Sequence, residues 1–171
     1  MGKIICGNPR LVEDLQDLRN KSSILNVMVD EILFHGDLTI HVTNQQHSFY
    51  DNRNIVLGLN QLPTLMDQLS TLIMEICNAF CDGRGQKPLP AQYPNKTAYG
   101  EAVERQEWSA VKWHIKILDQ LARHHPDFAS ANRFKRAFID PQYNWGNFDN
   151  YLAYQRSTGH TAQVESHWKP L

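Results

Sequence analysis

The spacing of apolar residues changes twice along the chain, and these changes constrain the fold more than any other sequence feature. Leucines in RLVEDLQDLRN (10–20) recur every three or four residues, which is typical of one face of an α-helix. In DLTIHVTN (37–44) every second residue is apolar, as in a half-buried strand. Helical spacing returns from residue 65. The sequence therefore predicts an α+β fold, mostly helical, with a small antiparallel β-hairpin or sheet.

The predicted hairpin joins 37–44 to RNIVLGLN (53–60) through QQHSFYDN (45–52), where Asp51 and Asn52 are turn residues. Proline, glycine and N-cap residues indicate where the helices begin and end. The tail after Gly159 is expected to lie irregularly on the surface. Helices are predicted at 10–20, 23–34, 64–82, 97–124, 126–140 and 148–157.

The length of 171 residues predicts one domain, 1–171, with a Pro/Gly-rich loop at 83–96. A formal net charge of -1 gives no electrostatic case for a nucleic-acid partner or an anionic membrane surface. No stretch approaches the roughly 20 apolar residues of a membrane span. We therefore expect neither nucleic acid nor membrane as a partner.

Cysteine usage points to a reducing compartment. Cys6, Cys77 and Cys81 are odd in number and lack the spacing of a disulfide framework, which predicts reduced thiols. The expected location is the cytoplasm, with delivery to another cell as a further possibility.

The helix at 97–124 carries polar groups on its apolar stripe. Glu107 and His114 are two turns apart and lie in line on that stripe, with Glu104 at its edge. A carboxylate on a core-facing stripe needs a partner, because an unpaired buried charge is very costly. These residues therefore form either a structural pair or part of a site.

The helix at 64–82 places Glu75 and Asn78 on the side opposite its main apolar face. A hairpin, a helix bearing Glu, and a later helix bearing Glu together resemble a zincin-type metallopeptidase. In MEICN (74–78), Glu75 matches the general base of the family's H-E-x-x-H motif. Met74 and Asn78 stand where the two zinc-binding histidines would be.

The resemblance implies Glu104 or Glu107 as a third ligand, but Met74 and Asn78 are poor zinc ligands. It therefore implies a degenerate scaffold without stoichiometric zinc, and we predict no metal and no cofactor. One further local feature suggests chemistry: His160 lies among small polar residues in STGHTA, where a histidine can serve as an acid or base. The chain contains no G-x-S-x-G, P-loop or dinucleotide-binding motif.

Two functional hypotheses follow. The first is a non-catalytic protein-binding module of bacterial toxin, effector or immunity type on the metallopeptidase-like scaffold, with another protein as its partner. Its expected binding residues are large aromatic side chains, which dominate interface energetics: Tyr93, Trp145, Tyr151 and Trp168.

The alternative is a hydrolase with a site between the helices at 64–82 and 97–124. It rests on two helices that turn polar side chains toward each other. Its expected catalytic residues are Glu75, Asn78, Glu104, Glu107, His114 and His160.

Overall fold

Four short strands form one sheet in the first third of the chain. The computed structural model describes residues 1–83 and 88–169. In chain order the strands are β1 (Ile4–Cys6), β2 (Leu38–Thr43), β3 (Phe49–Asp51) and β4 (Asn54–Gly58), and in the sheet their order is β1-β2-β4-β3. β2 pairs parallel with β1 on one side and with β4 on the other, and β3 pairs antiparallel with β4 at one edge.

The described residues also form eight α-helices. They are α1 (Pro9–Lys21), α2 (Ser23–Phe34), α3 (Leu65–Cys81), α4 (Lys96–Leu121), α5 (Asp127–Ala131), α6 (Arg133–Ile139), α7 (Phe148–Thr158) and α8 (His160–Glu165). The first four begin at side chains that accept a backbone N–H, namely Asn8, Ser22, Thr64 and Asn95. The predicted α+β class, mostly helical with a small sheet, is confirmed.

The strand pairing differs from the predicted one. The two alternating segments, now β2 and β4, are parallel, with Ile40 opposite Ile55. The antiparallel hairpin exists, but β3 and β4 form it across Asn52 and Arg53, whose φ angles of 41° and 67° suit a tight hairpin turn. Alternation fixes which face of a strand is buried but not which strand lies beside it, so the sequence left the neighbours undetermined.

The main core lies where α1, α2 and α3 pack with the sheet and with α4. α3 is central, because it contacts α2, β3, β4, α4 and α5. Leu72, Ile73 and Ile76 on its apolar face have no exposed surface. This packing holds Glu75 and Asn78 on the opposite side of α3.

A second, smaller apolar cluster packs α7 against α4. It consists of Trp145, Phe148, Tyr151 and Leu152, with Trp108 and Phe134 packed against it. Trp145 is 7% exposed and Tyr151 1%. The expectation that these two side chains form an exposed binding surface is therefore wrong, because they fill a core instead.

Two predictions for the C-terminal part also change. The helix predicted at 126–140 is two helices that meet at Asn132, whose side chain donates to the Ile115 carbonyl and to Asp119. The segment after Gly159, expected to be irregular, forms α8. Gly159 has φ 83°, a left-handed conformation that ends α7 and starts α8 at once.

The predicted loop at 83–96 lies partly outside the described residues, since 84–87 are not described. Its described part contains a short 3₁₀ turn, Pro90–Gln92, before α4. Within 1–83 and 88–169, we find no helix whose length and apolar character would let it cross a membrane.

Candidate functional site

A cavity of about 840 Å³ opens between the β2–β3 connection, α3, α4 and α8. Four of the predicted site residues line it: Glu75 and Asn78 from α3, Glu107 from α4 and His160 from α8. Further polar lining comes from Gln45, Gln46, His47, Tyr50, Asp82, Gln106, Gln163 and His167. The cavity is thus a polar chamber built from four separate parts of the chain.

The carboxyl group of Glu75 is held from two directions. Asn78 Nδ2 donates a hydrogen bond to Glu75 Oε2 at 3.0 Å, and the backbone N–H of Tyr50 in β3 also donates to this carboxyl group. Glu75 is only 7% exposed, and its burial raises its pKa to about 7 despite these two bonds, which favour the charged form. Near neutral pH, Glu75 can therefore either accept or release a proton.

Glu104 of α4 links this helix to α8, and the two helices together form one wall of the cavity. The Glu104 side chain has no exposed surface, and its Oε1 accepts hydrogen bonds from His160 Nδ1 at 2.9 Å and Thr161 Oγ1 at 2.7 Å. The bond to Glu104 is the main reason that the pKa of His160 is raised. Glu104 thus fixes the orientation of the His160 ring and leaves Nε2 directed away from it.

Glu107 lies one turn along α4 from Glu104, on the same side of the helix. Its Oε2 is 3.7 Å from His160 Nε2. About a third of its side chain, 32%, is exposed, and it lines the cavity. Burial, opposed by the nearby His160 charge and reinforced by Glu104 and Glu75, raises the pKa of Glu107 to about 7. The cavity therefore holds two carboxyl groups whose pKa values are raised, with the firmer shift at Glu75 because it is the more deeply buried of the two.

His114 does not belong to this cavity. It is 2% exposed, and its Nε2 lies 3.0 Å from the carbonyl oxygen of Ser70 in α3. Its ring also meets Phe134 edge-on, with 5.6 Å between centroids. Burial lowers the pKa of His114 to about 4, so it is a neutral packing residue between α3 and α4. The predicted in-line relation of Glu107 and His114 does not bring them into one network.

The sequence missed several lining residues, above all His47, Tyr50 and Asp82. The hydroxyl of Tyr50 donates to Asp82 Oδ2 at 3.0 Å and accepts the backbone N–H of Arg53. His47 lies in the β2–β3 connection, Tyr50 in the three-residue strand β3 and Asp82 at the end of α3, and none of these places carries a periodic signal. Only the tertiary packing of β3 against α3 brings them beside Glu75.

Two of the expected binding aromatics keep part of their surface exposed. Trp168 Nε1 lies 3.4 Å from the carbonyl oxygen of Tyr93, and the Tyr93 and Tyr99 ring centroids are 6.0 Å apart. Tyr93 and Trp168 therefore sit together at the start of α4. Tyr99 also lines the cavity, so this aromatic group adjoins it.

Comparison of the whole chain with protein-family models, with curated proteins and with solved structures yields no significant match.

Proposed function

We propose that the protein is a hydrolase of peptide amide bonds, with Glu75 as its general acid and base. The observation that carries the proposal is that Glu75, Asn78, Glu107 and His160, from three different helices, line one cavity. Catalytic groups are expected where titratable residues with shifted pKa values meet in a cleft.

The chemistry that Glu75 supports is water activation. Its carboxylate takes a proton from a water molecule as the oxygen attacks the amide carbonyl carbon. The C–N bond then breaks, and the same proton passes to the leaving nitrogen, which yields a carboxylic acid and an amine. A pKa of about 7 suits both halves of this transfer. Asn78 keeps the carboxyl group oriented through its bond to Oε2.

The lining favours an uncharged or cationic polar substrate. Among the described lining residues there is no Lys or Arg, whereas Glu75, Asp82 and Glu107 are acidic. Phosphate-bearing substrates would face these three carboxyl groups, with histidine side chains as the only counter-charges among the described lining residues. Side-chain amides of Gln45, Gln106 and other residues match the hydrogen-bonding groups of a peptide backbone.

The position of β3 also favours a peptide. This strand is the last of the sheet order, and its residues Phe49 and Tyr50 line the cavity beside Glu75. Extended peptides commonly bind along the edge of a sheet. We also propose that the scaffold is a degenerate relative of the zincin-type metallopeptidases. In support, Met74, at the position of the first zinc-binding histidine, lines the cavity together with Glu75.

The experiment is cleavage of an unstructured peptide pool by the purified chain, with new termini identified by mass spectrometry. Glu75→Gln keeps the shape and removes proton transfer, so cleavage should fall about 10²–10⁴-fold. Glu13→Gln, at an exposed position of α1, is the matched control and should cleave like wild type. Absence of cleavage by wild type, or equal cleavage by Glu75→Gln, would refute the proposal.

The second candidate is the non-catalytic binding module of bacterial toxin, effector or immunity type. It is favoured by Met74 at the cavity wall and by the part-exposed pair Tyr93 and Trp168. In that case Tyr93→Ala and Trp168→Ala should abolish the cellular phenotype, and Glu75→Gln should leave it intact. The bacterial source and the reducing compartment stay part of this proposal.

A further inference from the structure

The strongest unexplained arrangement in the molecule is the group Glu104, Glu107 and His160. One ligand atom of each lies within 4.8 Å of the others. The two ring nitrogens of His160 face different carboxylates, with Nδ1 2.9 Å from Glu104 Oε1 and Nε2 3.7 Å from Glu107 Oε2, and only one of the two can ligate a given ion. An ion bound at Nδ1 would take the place of the proton that His160 now donates to Glu104. Ligand atoms around a tetrahedral ion, each about 2.1 Å from it, lie about 3.4 Å apart. The 4.8 Å limit on the present separations is wider than this, so the side chains must move together by about 1 Å to hold one ion.

A second observation is independent of this spacing. Glu104 is 0% exposed, and its Oε2 has no hydrogen-bond partner among the described residues. A buried carboxylate oxygen without a partner is costly and unusual. The other oxygen of the same carboxylate accepts from both His160 and Thr161, so the deficit is confined to Oε2. A bound cation would satisfy it.

From these two observations we propose that Glu104, Glu107 and His160 bind a divalent first-row metal ion. Two carboxylates and one imidazole suit zinc or manganese, because imidazole favours the former and carboxylates the latter. Two carboxylates also balance the charge of one divalent ion. The set avoids positions 74 and 78, whose Met and Asn led the sequence to predict no zinc.

The fold supplies the rigidity that a metal site needs. Glu104 and Glu107 are three residues apart on the 26-residue helix α4, so both project on one side. α8 is pressed against α4 at Gly100, where an added Cβ would lie 2.7 Å from Glu165 Cγ. This close approach, with the turn at Gly159, places His160 over the two carboxylates.

The inference deepens the proposed hydrolase, because Glu107 and His160 line the same cavity as Glu75. A metal ion there would polarise a substrate carbonyl or a water molecule beside Glu75. The binding of the ion, however, does not depend on any activity. A direct binding measurement therefore tests it separately.

The experiment is calorimetric titration of the untagged, chelator-treated chain with Zn²⁺, Mn²⁺ and Mg²⁺ in separate runs. We expect one zinc or manganese ion per chain with a micromolar or lower dissociation constant, and a rise in melting temperature when it binds. Glu107→Gln and His160→Gln should weaken binding at least about 10–100-fold, as the loss of even an outer-shell partner does. The controls are Glu101→Gln on the same helix and the exposed His124→Gln, which should bind like wild type.

Three outcomes would overturn the inference. They are no stoichiometric binding of zinc or manganese at about 100 µM, binding of magnesium alone, or equal affinity in His160→Gln and wild type. Glu75→Gln separates the inference from the proposed function, because it should bind the ion normally while failing to cleave peptide. Peptide cleavage without metal binding refutes the metal site alone, and metal binding without cleavage refutes the hydrolase alone.

Discussion

Nδ1 of His160 lies 2.9 Å from Oε1 of Glu104, so a fully buried carboxylate on α4 holds the first residue of α8. The same oxygen accepts the hydroxyl of Thr161 at 2.7 Å. Glu104 therefore links α4 to α8 through two buried hydrogen bonds and so holds His160 in place at the cavity.

Replacement of Glu104 by Ala should destabilise the fold strongly. It leaves the Thr161 hydroxyl and the His160 N–H without their acceptor in a buried place, which typically costs about 3–5 kcal/mol of unfolding free energy. Chemical denaturation measures the loss. Glu101→Ala, which removes an exposed ion pair with Arg156 on the same helix, should cost about 1 kcal/mol or less. Equal losses of unfolding free energy in the two variants would show that the buried bonds of Glu104 stabilise the fold no more than an exposed ion pair does.

His114 should make the protein sensitive to mild acid. Its pKa is about 4 in the folded chain and near 6.5 when unfolded, so only the unfolded state gains a proton between these values. Stability therefore falls as the pH drops from about 6.5 to 4, by about 3 kcal/mol in all. His114→Gln can still donate to the Ser70 carbonyl but cannot titrate. Its unfolding free energy should fall less over this range in denaturation curves recorded at several pH values. A parallel pH dependence in variant and wild type would exclude His114 as the cause.

Glu75 should reduce stability at alkaline pH, in contrast to His114. Its pKa rises from 4.5 to about 7 on folding, so its contribution is fully present below pH 4.5 and lost as the pH rises through 7. At pH 8.5 Glu75→Gln should be more stable than wild type by about 3 kcal/mol, and at pH 5 the difference should be small. Urea denaturation at the two pH values gives the comparison. A gain in stability with a loss of cleavage is the pattern expected of a catalytic group held under strain; no gain at pH 8.5 would mean that Glu75 is well solvated.

Gly100 should set the distance between α4 and α8. A Leu side chain there would meet Glu165 and push α8 outward, because even a Cβ would lie 2.7 Å from Glu165 Cγ. We expect Gly100→Leu to lower the melting temperature and to weaken zinc binding together. Gly7→Leu is the control, since a Cβ at Gly7 meets nothing within 4 Å. Normal zinc affinity in Gly100→Leu would show that α8 is positioned by other contacts.

The fold class could be predicted because it depends on apolar periodicity, which α1, α3 and α4 display over many residues. The partners of β2 could not, because Leu38 and Ile40 would be buried equally well beside either neighbour. β1 was missed for a simpler reason, since three residues are too few to show a period.

The site was partly predictable for the same physical reason. Glu75 and Glu107 lie inside long regular helices, so the helical repeat of 3.6 residues predicts the side on which each projects. His114 shares that stripe with Glu107 but lies two turns further along, where the neighbour is Ser70 rather than the cavity. His47 lies in the β2–β3 connection and Tyr50 in the short strand β3, and only the three-dimensional packing brings both to the cavity.

The division of the buried apolar residues into two clusters means that the two walls of the cavity rest on separate parts of the core. Glu75 belongs to α3, whose apolar residues are part of the larger cluster. His160 belongs to α8, which contacts α7, and α7 carries most of the smaller cluster of Trp145, Phe148, Tyr151 and Leu152. Substitutions that loosen the smaller cluster can displace His160 while the larger one keeps the sheet and α1 to α3 folded. A single substitution in the smaller cluster can therefore change the surroundings of His160 without unfolding the rest of the chain.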